Sequence, residues 1–256
     1  MNAQPLSPEN LQMLWLFACI VARTGAIIAT ATIPAFPGTP LRVRVVLSLA
    51  LSLMVLPQVM VSTDVSRITI SPMTVLGEVL VGGILGSSIS MVLGATAWAG
   101  QILGTISGLS WAEDFEPFGE VQSAGISTFA WWVGMAAFFA SGGHLAVVCG
   151  ALETFTTLPV GSWPHASLEK MCSLVPGLSL HLAISMAMPA MMALVAMHLV
   201  TTIIVRIAPL SPGSGLVQAA GAVVLLFSMF VGADTWARGW GEAISAPLER
   251  ILAFDH

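Results

Sequence analysis

The densest set of ionisable side chains in the sequence is Glu113, Asp114, Glu116 and Glu120, all within Ser107–Gln122. They are four of the chain's thirteen acids, no base accompanies them, and Trp111, Phe115, Pro117 and Phe118 are interleaved with them. On each side lie about thirty residues of apolar chain without one charge. Inside lipid each carboxylate would cost about 2.5–3.5 kcal/mol on insertion scales. The stretch therefore belongs among headgroups, in water, or in a water-filled cavity enclosed by protein. What the stretch carries is hydrated negative charge set among aromatic rings.

The remaining reactive residues are scattered. His144, His165, His181, His198 and His256 show no HExxH or other close ligand spacing. His181 and His198 fall on one predicted helix, seventeen residues apart, too far to share a metal, and each reads as a hydrogen bonder between packed helices. Cys19, Cys149 and Cys172 are isolated, which suits small apolar core residues rather than a disulfide framework or a zinc motif. No GxSxG elbow or glycine-rich phosphate loop is present. We expect no enzyme activity, no metal and no cofactor.

The elements that must position the acidic stretch are set by composition. Of 256 residues, 56% are hydrophobic and only 8% are charged, against about 25% charged in a soluble domain. So few charges cannot cover a soluble surface of this size, and the chain is an all-α membrane protein. The net charge of −5 and the single lysine, Lys170, leave no basic patch for nucleic acid. The N-terminus lacks the basic region of a signal peptide, so the first apolar segment is expected to be retained.

About six apolar helical elements follow, several of them broken. Ser7 and Pro8 open a first helix to about Ile33. Arg23, in its middle, either snorkels, forms an ion pair or carbonyl contact, or faces a channel. Pro34, Pro37, Gly38 and Pro40 break the chain before a second helix, Leu41–Val61, which Pro57 is expected to kink or stop. The third region, Pro72–Ser107, is longer than the roughly 20 residues a span requires. It carries seven glycines, among them Gly82 with Gly86 and Gly100 with Gly104, both GxxxG pairs. Such a helix is expected to pack closely on several faces. After the acidic stretch, Ser123–Cys149 is interrupted at 141–144. A polar linker reaches Lys170, and the chain ends in a helical hairpin, with arms at 174–207 and 216–236 around Pro209, Pro212, Gly213 and Gly215. Met186, Met188, Met191, Met192 and Met197 cluster in its first arm, read as adaptable packing or as a deformable conduit lining. Arginines and Lys170 fall at several segment ends and do not define an orientation.

Four short stretches, in register over nearly the whole chain, carry a resemblance. They are Gly100-Gln-Ile-Leu-Gly-Thr-Ile-Ser-Gly-Leu-Ser leading into the acidic loop, Ser-Gly-Gly-His-Leu at 141–145, Thr-Leu-Pro-Val-Gly at 157–161, and Arg206-Ile-Ala-Pro. The sequence resembles the FliR/SctT family, the R (T) component of the flagellar and type III secretion protein-export gate. It departs from the family pattern at Ser141–Gly142, where an asparagine is expected before glycine and histidine. It departs again at Trp111 and Asp114 in the loop.

The resemblance implies a single-copy subunit built to pack in a helical hetero-oligomeric channel with P-type and Q-type subunits, near the B-type and A-type export proteins. Residues 1–170 would be the P-like part, with a pore loop at 107–122, and residues 171–256 the Q-like hairpin and tail. Leu109, Trp111, Glu113, Asp114, Phe115, Glu116, Pro117 and Phe118 would form a plug that unfolded export substrates displace. Gly100, Gly104, Gly108, Gly143, His144, Pro159, Gly161, Arg206 and Pro209 would be structural motif positions. The implied location is the bacterial inner membrane, within a flagellar basal body or an injectisome. An intramembrane transporter or enzyme and a purely structural assembly factor are the alternatives, which a stable lone monomer with turnover, or a loop that never meets substrate, would favour.

Overall fold

The computed structural model describes residues 8–31, 40–62, 71–107, 125–161, 166–207 and 214–252. Among them are seven helices: α1 (Pro8–Thr30), α2 (Leu41–Ser62), α3 (Pro72–Ser107), α4 (Gly125–Ala140), α5 (Gly143–Thr157), α6 (Ala166–Ile207) and α7 (Ser214–Leu252). Five are long and apolar enough to cross a membrane, and α4 with α5 makes a sixth if the broken pair is counted as one span. The expected all-α membrane protein with about six apolar elements is what the structure shows.

Helix α2 ends within one residue of expectation, while one boundary each of α6 and α7 differs. Helix α2 runs through Pro57 to Ser62; a proline is tolerated in a spanning helix where neighbours re-satisfy the freed carbonyl. Helix α6 begins at Ala166, eight residues before the expected Leu174, so residues 166–170 of the supposed linker are helical; Glu169 in its first turn complements the helix dipole. Helix α7 continues past Trp236 to Leu252. There Asp234 and Arg238 pair across one turn, Oδ2 to Nη2 2.7 Å, and the charge that marks the end of an apolar run does not end a helix.

The chain folds as two compact units. The first comprises Met1–Met91, His144–Pro176 and Ser245–His256. Its core follows from helical spacing: Leu16, Cys19, Ile20, Arg23, Thr24 and Ile27 recur every three or four residues and are all buried on one face of α1. Leu16, Cys19 and Ile20 pack with Val55 and Val59 of α2, Phe155 of α5 and Val160. Ile27 packs with Val81 and Leu85 of α3 and with Leu158. Thr24 Oγ1 and Ser52 Oγ, 2.7 Å apart, join α1 to α2 inside this core.

The second unit comprises Val92–Gly143 and Gly177–Ile244. Here the C-terminal half of α3 meets α4. A side chain at Gly100 would lie 2.7 Å from the Ala130 Cβ and the Ser127 Cα, and one at Gly134 would run into Thr96. The backbones approach because these positions carry no Cβ. Helix α7 lies against α6 at Gly221, where an added Cβ would sit 3.7 Å from the Met197 Cε, and Ala187, Ala190, Leu194, Leu225 and Met229 are buried. His198 Nε2 lies 3.3 Å from the Ile106 carbonyl, a contact between helices as expected. His181 is exposed, and so are Met188 and Met192.

The break between α4 and α5 lies at Ser141–Gly142. Ser141 N–H still bonds the Ala137 carbonyl, Gly142 N–H bonds Phe139, and Gly142 takes φ 75°. A left-handed residue at a helix end is the common C-terminal stop, and only glycine adopts it without cost. Gly142→Ala has open space for its methyl, so the backbone alone decides the outcome. We expect a loss of about 1–2 kcal/mol, read as a lowered unfolding midpoint in detergent micelles. An unchanged midpoint would show the turn adapts.

Candidate functional site

The most concentrated polar chemistry among the described residues lies inside the first unit. Arg23 of α1 and Glu78 of α3 are both 1% exposed. Arg23 Nε donates to Glu78 Oε2. Arg23 Nη1 donates to the carbonyls of Thr154, at 3.2 Å, and Leu158, at 2.8 Å, at the end of α5. The guanidinium also lies over the Phe155 ring, 4.6 Å from its centroid. Glu78 Oε1 accepts the Gly161 N–H at 2.9 Å.

Each element brings its group for a local reason. The last carbonyls of a helix lack intrahelical partners and carry the negative end of its dipole, so the C-terminus of α5 is a ready ligand for a cation. Pro159 stops α5, and Gly161, at φ 86°, turns the chain back so that its N–H faces Glu78. Arg23 reaches this end because α1 lies directly on α3: a Cβ at Gly82 would collide with the Arg23 carbonyl, and one at Gly86 with Thr30 Oγ1 and, at 2.5 Å, with the Ile27 carbonyl. Ser90 Oγ caps the same contact by donating to the Thr30 carbonyl at 2.8 Å. Three segments far apart in sequence are thereby tied by one ion pair whose charged atoms are both further hydrogen-bonded, the condition under which a buried pair is tolerated. Both charged groups are shut away from solvent, and no group of three metal-ligating side chains occurs among the described residues. The arrangement is a clamp.

Of the alternatives for Arg23, the ion pair and the carbonyl contacts are both realised. Sequence reasoning missed Glu78. The signal was available: Glu78 is the only acid between Asp64 and Glu113, and an ionisable residue within an apolar helix is expected to seek a partner of opposite charge.

The other expected positions are placed as follows. Gly100 and Gly104 line α3 against α4, with Ile126 side-chain atoms 3.8 Å from a Cβ built on Gly104. Gly143 and His144 open α5; Gly143 is buried and His144 exposed. Pro159 and Gly161 belong to the turn over Glu78. Arg206 is exposed in the last turn of α6, where its charge suits the dipole. Gly108, Leu109, Trp111, Glu113, Asp114, Phe115, Glu116, Pro117 and Phe118 of the acidic loop, and Pro209 of the hairpin turn, lie outside the described residues. What is described are the two ends of that loop, Ser107 on α3 and Gly125 on α4, leaving a helix pair held together by glycine contacts.

Comparison with known proteins adds the following. The family described as bacterial export proteins, family 1, matches residues 14–245. The chain is similar to the flagellar biosynthetic protein FliR of Escherichia coli (strain K12), 26% identical over 208 residues that cover 80% of this chain and 79% of the relative. The FliR of Caulobacter vibrioides is 24% identical over 199 residues, 77% of this chain and 79% of the relative. That of Aquifex aeolicus is 28% identical over 210 residues, 74% and 76%.

Proposed function

This chain belongs to the bacterial export proteins, family 1, the FliR/SctT family, and we propose that it serves as a membrane-embedded component of a flagellar protein-export apparatus. The family match across residues 14–245 carries this reading. In the finer form, one copy joins P-type and Q-type subunits in a channel in the inner membrane, close to the B-type and A-type proteins. Residues 1–170 take the P-like place and residues 171–256 the Q-like place.

The acidic, aromatic loop at 107–122 acts as the plug. Support comes from its composition and its mounting. Two apolar helices locked at Gly100 and Gly134 hold the two ends of the acidic stretch, which would act as a charged finger. A wet lumen is the setting in which such a finger avoids the cost of carboxylates in lipid. Trp111, Phe115 and Phe118 would meet across the lumen while Glu113, Asp114 and Glu116 keep one side hydrated. Gating is a population shift: a loop held by a few apolar contacts is displaced by an arriving unfolded polypeptide, with no bond made or broken.

Deleting residues 110–118 is expected to raise small-ion conductance of export-gate complexes in planar bilayers while co-purification with the P-type and Q-type subunits persists. Wild-type conductance in that deletion would sink the plug. Cysteines placed at Trp111 and Phe115 should cross-link to a stalled export substrate, and the absence of any adduct would favour a scaffold that never lines the passage.

A further inference from the structure

The side chains of four acids are described, and the fold compensates three of them. Glu78 is buried against Arg23 and the Gly161 N–H. Asp234 pairs with Arg238 one turn away. Glu169 lies in the first turn of α6, where the dipole favours an anion. Glu153 has none of this. It is the one formally charged residue in 125–161, it is exposed, and its carboxylate makes no hydrogen bond or ion pair with a described residue. It also stands near the C-terminal end of α5, the end where the dipole disfavours an anion. The neighbouring hydroxyls do not help: Thr156 Oγ1 and Thr157 Oγ1 donate to the Glu153 backbone carbonyl, at 2.7 and 3.3 Å, rather than to its carboxylate.

The surroundings of Glu153 are equally open. Leu145, 62% exposed, Val148, Cys149, Glu153 and Thr156 recur every three or four residues and form one outward face of α5. The opposite face, Thr154, Phe155 and Leu158, is buried in the clamp. An apolar helical face with a single uncompensated carboxylate calls for an apolar helix that brings a cation.

We propose that this face of α5 seats a helix of a neighbouring assembly subunit that presents a lysine or arginine to Glu153. The proposal rests on the reading of the chain as part of a hetero-oligomer. Charge complementarity selects the occupant: a wholly apolar helix or an acyl chain would leave the carboxylate unmatched in a non-polar contact, where an unpaired charge is most costly.

Cys149, one turn from Glu153, is a built-in probe. In a Cys172→Ser chain, with Cys19 buried, it carries the only exposed thiol among the described cysteines. A benzophenone maleimide on Cys149, photolysed in membranes that contain the co-expressed export-gate subunits, should join it to a subunit peptide that is apolar and holds a lysine or arginine. Glu153→Lys should lower co-purification of that subunit by about thirtyfold. Glu153→Gln should lower it less, and an acidic replacement of the partner's base should restore binding to the Lys variant. Adducts with lipid alone, or Glu153→Lys co-purifying at wild-type yield, overturn the docking face while leaving the export-gate reading intact. A wild-type chain that purifies without any gate subunit removes that reading and this proposal with it.

Discussion

Arg23→Leu alone, or Glu78→Leu alone, is expected to destabilise the protein by about 3–5 kcal/mol, because each leaves a buried charge without its partner. In Arg23→Leu the Glu78 carboxylate retains only the Gly161 N–H. In Glu78→Leu the guanidinium retains two carbonyls and the Phe155 ring, which makes it the milder of the two. The double variant Arg23→Leu/Glu78→Leu should recover much of the loss, since a buried ion pair replaced by packed apolar groups is often neutral. Recovery is incomplete for a definite reason. Thr154 keeps a bond from the Leu158 N–H at 2.9 Å, but the Leu158 carbonyl loses its Arg23 donor, a deficit of about 1–3 kcal/mol if nothing replaces it. Unfolding midpoints in mixed micelles titrated with a denaturing detergent measure all three. Additive single losses in the double variant would show that the two residues do not act as a clamp.

The second large effect is steric. Gly86→Leu puts a side chain where Thr30 Oγ1 and the Ile27 and Ala31 backbone already lie, and Gly82→Leu puts one against the Arg23 carbonyl, with Ala26 Cβ 2.8 Å from the new Cβ. Backbone atoms cannot rotate aside, so α1 has to lift from α3. Overpacking of a close contact costs about 1–3 kcal/mol. At Gly82 the displaced residue is Arg23 itself, and the ion pair is lost with the contact. Gly82→Leu should therefore approach the single-charge variants in severity. Gly83→Ala is the control: its methyl meets nothing within 4 Å, and a glycine-to-alanine change inside a helix is favourable by about 1 kcal/mol where there is room. Equal losses at Gly82 and Gly83 would mean that glycine acts through helix flexibility rather than through close approach.

Much of this architecture was legible from residue types. The long apolar runs, the bounds of α3, the break at 141–142 and the small-residue character of α3 follow from the cost of polar groups in hydrocarbon and from the turn chemistry of glycine and proline. That Arg23 needed a partner was also legible, since a cation in the middle of an apolar helix is expensive wherever it points. The start of α6 and the end of α7 were not. Polar residues such as Glu169, Asp234 and Arg238 read as the close of an apolar segment, yet helices extend beyond the apolar part as long as dipole and one-turn pairing favour them.

Taken by itself, then, the sequence determined that the chain is helical and apolar, because those properties are sums over residues that each act through solvation. Only the tertiary structure decided which groups meet. Glu78, the carbonyls of Thr154 and Leu158 and the Gly161 N–H are 55 to 138 residues from Arg23 along the chain, and no local pattern encodes a contact at that range. The choice is made by α1 and α3 approaching at Gly82 and Gly86, which brings one cation, one anion and one helix end into a space that none of them could occupy alone.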